Sequence, residues 1–128
     1  VESGGEEGSV EEILVRLART FLVHSMTPLE AKITRLLLTE GTRLSAEGRK
    51  AYERMQLESM EPVIALLKRL MEQGRVRTLV PERVIISFFS PFTVWKIHHA
   101  LGTQRYISDE SESLIAQHSA LIARAISP

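Results

Sequence analysis

The most constraining feature of this sequence is a run from Val84 to Trp95, VIISFFSPFTVW, that contains no charged side chain. It follows Pro81, and proline is favoured at the first helical position because its missing N–H would have no partner there. We therefore predict a helix from Pro81 to Gly102 that is apolar almost all round. A helix with this pattern must be covered on several sides, so a partner surface is implied. The run is too short for a membrane span of roughly 20 residues, and we expect no membrane contact.

Composition favours a single folded domain with no binding surface for DNA. The chain has 128 residues, of which 44% are apolar and 25% charged, as in typical globular proteins. Sixteen basic side chains balance sixteen acidic ones, so the protein has no net positive charge that would attract a polyanion such as DNA. The absence of cysteine excludes disulfides and cysteine-ligated metals. Together with the lack of a secretory segment, it favours a cytoplasmic location.

Capping signals mark the first two helices. Residues 1–8 are rich in Gly and Glu, so we predict a disordered acidic tail or linker there. Ser9-Val10-Glu11-Glu12 has the form of a capping box and starts a helix that ends near Met26. Thr27-Pro28 starts a second helix, and Gly41 is placed to end it in a left-handed turn. The expected buried face of this second helix is Leu29, Ile33, Leu36 and Leu37.

Three more helices complete the expected fold. The third runs from about Ser45 to Gln73, and Pro62 makes it either one kinked helix or two stacked pieces. The fourth is Pro81 to Gly102, and Asp109-Glu110-Ser111-Glu112 is a capping box for the fifth. We expect an all-α fold of about five helices, with one helical domain over 9–128. The packed side of the third helix is expected to contain Tyr52, Met55, Ser59, Val63, Leu66, Leu67 and Leu70.

Catalytic and metal-binding motifs are missing from the sequence. The histidines do not form an H-E-x-x-H or Glu-x-x-His pair, and no P-loop or nucleophile elbow occurs. The alternating charges of the third helix are typical of a solvated face. We therefore predict no enzymatic activity, no metal and no cofactor.

Aromatic and methionine side chains are the better candidates for a binding site. Most such residues simply pack in a core. However, Pro62 and Pro91 leave the backbone carbonyls of Glu58 and Ser87 without a helical N–H partner beside this set. Some side chains of the set also end in a polar group. Apolar walls with a few polar groups are typical of a small-molecule pocket. The set comprises Phe21, Met26, Tyr52, Met55, Met60, Phe88, Phe89, Phe92 and Trp95, with His24 beside it.

The order of these segments resembles the C-terminal ligand-binding and dimerisation domain of TetR-family transcriptional regulators. The resemblance covers about Val10 to Pro128. It depends on the sequence Leu-Leu-x-Glu-Gly at the end of the second helix and on Tyr52-Glu53 inside the third. It also depends on the segment LLKRLMEQGRVR, which is followed by an apolar helix that begins with proline. Val80 stands where relatives often have Asp. The family's N-terminal helix-turn-helix is absent, and with a first residue of Val rather than Met we interpret the chain as a fragment or processed product.

The resemblance implies a homodimer that senses a small, largely apolar effector. Arg83 to Gly102 and Glu110 to Ser127 would pair with their copies in a four-helix interface, and the effector would shift the population of dimer shapes. DNA would be bound only through the missing N-terminal domain. The implied dimer contacts are Ile85, Phe89, Leu114, His118, Leu121, Ile122 and Ile126. The implied ligand-binding residues are Phe21, His24, Tyr52, Met55, Phe92 and Trp95.

Two other hypotheses remain open at this point. One is a plain protein interaction module, whose fourth helix docks a different protein and whose core has no cavity. A solid core around Trp95 would favour it. The other is a helical-bundle enzyme or metalloprotein that uses His24, His98 or His118.

Overall fold

The structure, a computed structural model, describes residues 7–103 and 111–128, and it is all-α in this part of the chain. The predicted fold class is confirmed. Asp109 and Glu110 of the proposed fifth capping box, and most of the predicted tail, lie outside the described residues. The elements are α1 (Val10–Ser25), α2 (Pro28–Glu40), a 3-10 turn (Gly41–Arg43), α3 (Ala46–Glu72), α4 (Pro81–Leu101) and α5 (Ser111–Ala125).

The first helix begins where its capping box predicts. The Glu12 N–H donates to Ser9 Oγ at 3.1 Å, and the Ser9 N–H donates to Glu12 Oε1 at 2.8 Å. Because the backbone N–H of Ser9 binds the charged form, the pKa of the Glu12 carboxyl lies below its ordinary value. The helix ends at the Met26 cap, and its inner face buries Ile13, Leu14, Ala18 and Leu22.

Two clusters of buried side chains form the core. The first, which we call the α3 core, joins α1, the C-terminal half of α3, the start of α4 and the end of the chain. The second, the α5 core, joins α1, α4 and α5. The α3 core contains Ile13, Leu66, Leu67, Leu70, Val76, Val84, Ile85 and Ile126. The α5 core contains Leu14, Ala18, Leu22, Phe88, Phe92, Trp95 and Ile115.

The third helix is one continuous helix through Pro62, which decides between the two predicted arrangements. Its two halves differ sharply in burial. From Ala46 to Ser59, a segment that we call the arm, only Gly48 and Tyr52 are even half-buried. The prediction that Met55 and Ser59 lie on a packed side is therefore wrong. Apolar residues recur at helical spacing along the arm, but no part of the core lies opposite them, because the core ends at the level of Met60.

The predicted buried face of α2 is also wrong. Leu29 and Leu36 are exposed, and the buried residues are Ala31 and Thr34. Small side chains face inward because α2 packs closely against α4. Ile33 and Leu37 are half-buried, so only the side of α2 that carries Leu29 and Leu36 points away from the core.

Glycine ends α3 and α4 in a left-handed turn, but it does not do so at the end of α2. Gly74 and Gly102 adopt left-handed φ values of 72° and 70°, which cost a residue without Cβ little. Gly41 has φ −58° and ψ −34° and continues into the 3-10 turn, so the predicted left-handed turn is wrong there. The chain reverses less abruptly because Leu44 N–H closes that turn on Gly41. Val80, the N-cap residue of α4, makes no side-chain capping hydrogen bond.

Candidate functional site

The outer face of α4 is the most distinctive surface of the molecule. Val84, Phe88, Phe92 and Trp95 point inward, so residues about half a helical turn away point outward. Ile86 is 62% exposed, and Val94 and Leu101 are about half exposed. Smaller side chains complete this face. The outer α4 face consists of Ile86, Ser87, Ser90, Thr93, Val94, Ile97 and Leu101.

This face carries no charge along its length. The only charged side chain between Ile86 and Ile97 is Lys96. Its Nζ lies 3.4 Å from Glu30 Oε1 and 5.8 Å from the centre of the Phe21 ring. Lys96 is therefore turned towards α1 and α2, and the outer face is left without a charged side chain.

The residues implied as dimer contacts occupy three different environments. Ile85 and Ile126 are buried in the α3 core, which leaves them almost no surface for a second copy. Phe89, Leu114, His118 and Ile122 are half-buried, and Leu121 is 58% exposed. Ile86 and Val94, with more exposed surface than most of these, were missed by sequence reasoning. Ile86 and Val94 lie on the side of a helical projection opposite Phe88 and Phe92, and this position could have identified them.

The structure brings together only part of the implied ligand-binding set. Phe92 and Trp95 are buried in the α5 core, and Phe21 packs at its edge. The other three residues lie apart from this cluster. His24 is exposed and 3.4 Å from Glu30, while Tyr52 and Met55 lie on the arm, in neither core cluster. The residues implied as ligand contacts therefore do not form one cluster in this structure.

Aromatic contacts fill the space around Phe92 and Trp95. The Phe88 ring meets the Phe92 ring edge to face at 5.4 Å between centroids. The His118 ring stacks on Phe88 at 5.8 Å, and the His99 ring stacks on Trp95 at 5.2 Å. Such offset and edge contacts are favourable packing geometries. The aromatic residues thus stabilise a packed core in this conformation.

Polar contacts tie α1 and α2 to α4 beside this core. Glu30 Oε2 lies 3.4 Å from His24 Nε2, and Glu30 Oε1 lies 3.4 Å from Lys96 Nζ. At the end of α4, Arg35 donates to the Ala100 carbonyl at 3.0 Å. This bond satisfies one of the last carbonyls of the helix. The cluster therefore has a role in holding α2 to α4.

A wide-open depression of about 550 Å³ lies on the outer face of α1. Its lining is Arg16, Arg19, Thr20, Val23, His24 and Thr27. Arg19 already pairs with Glu112 at 2.8 Å, and hydrogen bonding to Arg19 holds the pKa of the Glu112 carboxyl below its ordinary value. Because the depression is wide open, it would leave much of the surface of an apolar effector in contact with water.

The histidines of the metalloprotein hypothesis have separate partners. His24 lies beside Glu30, His98 Nδ1 contacts Thr103 at 2.8 Å from Oγ1, and His118 Nε2 contacts the Ser87 carbonyl at 3.2 Å. Within residues 7–103 and 111–128, no three potential metal ligands converge. Over the same ranges, no helix has the length and hydropathy needed to cross a bilayer.

Comparisons of the chain with protein-family models, with curated proteins and with solved structures found no match. The functional conclusion therefore depends on the surfaces and packing described above.

Proposed function

We propose that this chain is the dimerisation and effector-sensing domain of a TetR-type transcriptional regulator. The observation that carries the proposal is the outer α4 face, which is uncharged and still exposes Ile86, Val94 and Leu101 after the chain has folded. An uncharged surface with exposed aliphatic side chains is typical of the centre of a protein interface. A second copy related by a twofold axis would place the same face of its α4 against it.

The half-buried and exposed residues of α5 extend this interface. Leu121 is exposed on the outer side of α5, and His118 joins α5 to Ser87 on α4. Two helices from each copy would then form a four-helix interface, as the TetR resemblance implies. Ile85 and Ile126 would support it from the core without contacting the partner.

Effector binding would require a second conformation of the α5 core. Phe92 and Trp95 fill the space in which a small apolar ligand would lie. A ligand that enters beside Phe21 must displace these rings, and α4 would shift with them. Because α4 carries the proposed interface, such a ligand would bind one dimer geometry more tightly than the other. This difference in affinity is what a population shift requires. DNA-binding helices outside this chain would respond to that change.

Native mass spectrometry over a concentration series tests this proposal. We expect a dimer at twice the chain mass of 14.4 kDa, at micromolar protein. Any additional mass retained through purification would identify a ligand. A chain that stays monomeric throughout the series would overturn the proposal.

A second candidate function is an interaction module without an effector. The close packing of Phe88, Phe92, His118 and Trp95 favours it, since a solid core leaves little room for a ligand. Fluorescence of Trp95, the single tryptophan, separates the two candidates. Titration with a panel of small apolar compounds should change its emission if the domain senses an effector. Unchanged emission across the panel would favour the interaction module.

A further inference from the structure

The chain enters α1 through a short segment that is held by side chains from two different elements. Arg16, on α1, donates a hydrogen bond to the backbone carbonyl of Glu7. Arg75, in the loop between α3 and α4, donates one to the backbone carbonyl of Gly8. Gly8 has a left-handed φ of 86°, so the chain turns immediately before the helix. Residues 7–9 are exposed, and hydrogen bonds rather than burial therefore fix their path.

These two bonds orient two successive peptide groups. Because the peptide group is planar, a bond to the Glu7 carbonyl also orients the N–H of Gly8, and a bond to the Gly8 carbonyl orients the N–H of Ser9. The Ser9 N–H in turn donates to Glu12 Oε1 at 2.8 Å. Arginine suits such contacts, because its guanidinium group is always charged and presents several N–H donors in one plane. Each of the two peptide groups is thus attached to a different element of the fold.

The loop that supplies Arg75 also holds the segment that follows α5. Val76 is buried in the α3 core together with Ile126. The Arg77 N–H donates to the Ile126 carbonyl at 2.9 Å. The segments before α1 and after α5 are therefore bonded to two residues of the same loop, with a buried residue between them. This loop leads directly into α4, which begins at Pro81.

We infer that Arg16 and Arg75 form a clasp that attaches the segment before α1 rigidly to the helical domain. Because Arg75 lies in the loop that leads into α4, a displacement of this loop would change the direction in which the chain enters α1. A domain placed before this segment would follow that movement, whereas a flexible tether would not transmit it. This inference goes beyond the proposed function and does not depend on dimerisation or on an effector.

NMR relaxation of the backbone N–H groups tests the clasp in the full chain. For the Gly8 N–H of the unaltered protein we expect an order parameter of about 0.85, the value of rigid backbone. In the variant that combines Arg16→Ala with Arg75→Ala it should fall below about 0.6, the range of flexible backbone. Arg77→Ala is the matched control, since Arg77 lies in the same loop and bonds Ile126 through its backbone N–H. Each changed side chain is exposed or half-buried, so the variants should fold, which circular dichroism verifies.

Three results would overturn the clasp. A flexible Gly8 N–H in the unaltered protein would mean that the contacts do not hold the segment in solution. A rigid one in the combined variant would mean that the two arginines are not its cause. An equal loss in Arg77→Ala would mean that any change in the loop has this effect. A monomeric chain with a rigid Gly8 N–H would contradict the proposed dimer and still support the clasp, so the two proposals fail separately.

Discussion

His118 Nε2 lies 3.2 Å from the carbonyl oxygen of Ser87 and compensates for a hydrogen bond that α4 cannot make. Ser87 lies four residues before Pro91, so its carbonyl has no helical N–H partner. The sequence indicates the free carbonyl, but only the packing of α5 on α4 supplies the imidazole. The contact requires the hydrogen on Nε2, and it ties α5 to the middle of α4.

A double-mutant cycle measures this compensation. His118→Phe keeps an aromatic ring on Phe88 but removes the donor, and should lower the free energy of unfolding by about 1 kcal/mol. In a Pro91→Ala background the cost should be smaller, because the restored backbone N–H can bind the Ser87 carbonyl. Urea unfolding of the four variants gives the coupling. An equal cost in both backgrounds would mean that the hydrogen bond contributes nothing.

The dimer proposal makes a specific prediction for α4. Ile86→Glu places a charge on the most exposed aliphatic position of the outer α4 face and should convert the proposed dimer to a monomer without unfolding it. Leu57→Glu is the matched control, since Leu57 is as exposed as Ile86 but lies on the arm. Light scattering after size exclusion measures the mass of each. If Ile86→Glu remained dimeric, the outer α4 face would not be the interface.

Phe92 and Met55, both implied as ligand contacts, should behave differently when truncated. Phe92 has no exposed surface, and Phe92→Ala should lower the free energy of unfolding by about 3 to 5 kcal/mol through loss of packing. Met55→Ala should change it by less than about 0.5 kcal/mol, as expected for a surface site. Thermal and urea unfolding provide the measurement. A costly Met55→Ala would show that the arm is packed in solution.

Two buried serines provide an internally controlled test of hydrogen bonding. Ser119 Oγ has no hydrogen-bond partner among the described residues, whereas Ser25 Oγ donates to the Phe21 carbonyl at 2.8 Å. Ser119 lies inside α5 and Ser25 is the last residue of α1, so the gain in helix propensity also favours Ser119→Ala. Ser119→Ala should therefore stabilise the protein by about 1 kcal/mol relative to Ser25→Ala. The reverse order would mean that Ser119 has a partner in solution.

The capping box predicts a pH dependence at the start of α1. The folded-state pKa of Glu12 is lowered because the ionised carboxylate accepts the Ser9 N–H. Its contribution to stability is therefore complete above the pKa of an unfolded Glu and is lost as the pH falls through the lowered folded value. Ser9→Ala keeps the backbone N–H and removes only the hydroxyl, so in a carboxyl NMR titration it should raise the Glu12 pKa part of the way towards its ordinary value, and Ser9→Thr should leave it unchanged. An unaltered titration in Ser9→Ala would argue against the box.

The sequence by itself determined where helices begin and end. Ser9, Thr27 and Pro81 mark starts, and Gly74 and Gly102 mark ends, because caps and left-handed turns depend on atoms within a few residues. It also determined the all-α class, since the 3.6-residue period of apolar side chains needs no knowledge of neighbours.

Tertiary structure decided which apolar side chains are buried. Leu29 and Leu36 follow a helical stripe as regular as that of α1, yet Ala31 and Thr34 face α4, because close approach of two helices favours small side chains at their contact. Met55 continues the same repeat as Leu66 and Leu70, but the core ends before the arm. Periodicity specifies a face, whereas burial depends on whether another element lies opposite it. The separation of Tyr52 from Phe92 has the same cause, and it explains why the implied ligand set was only partly assembled.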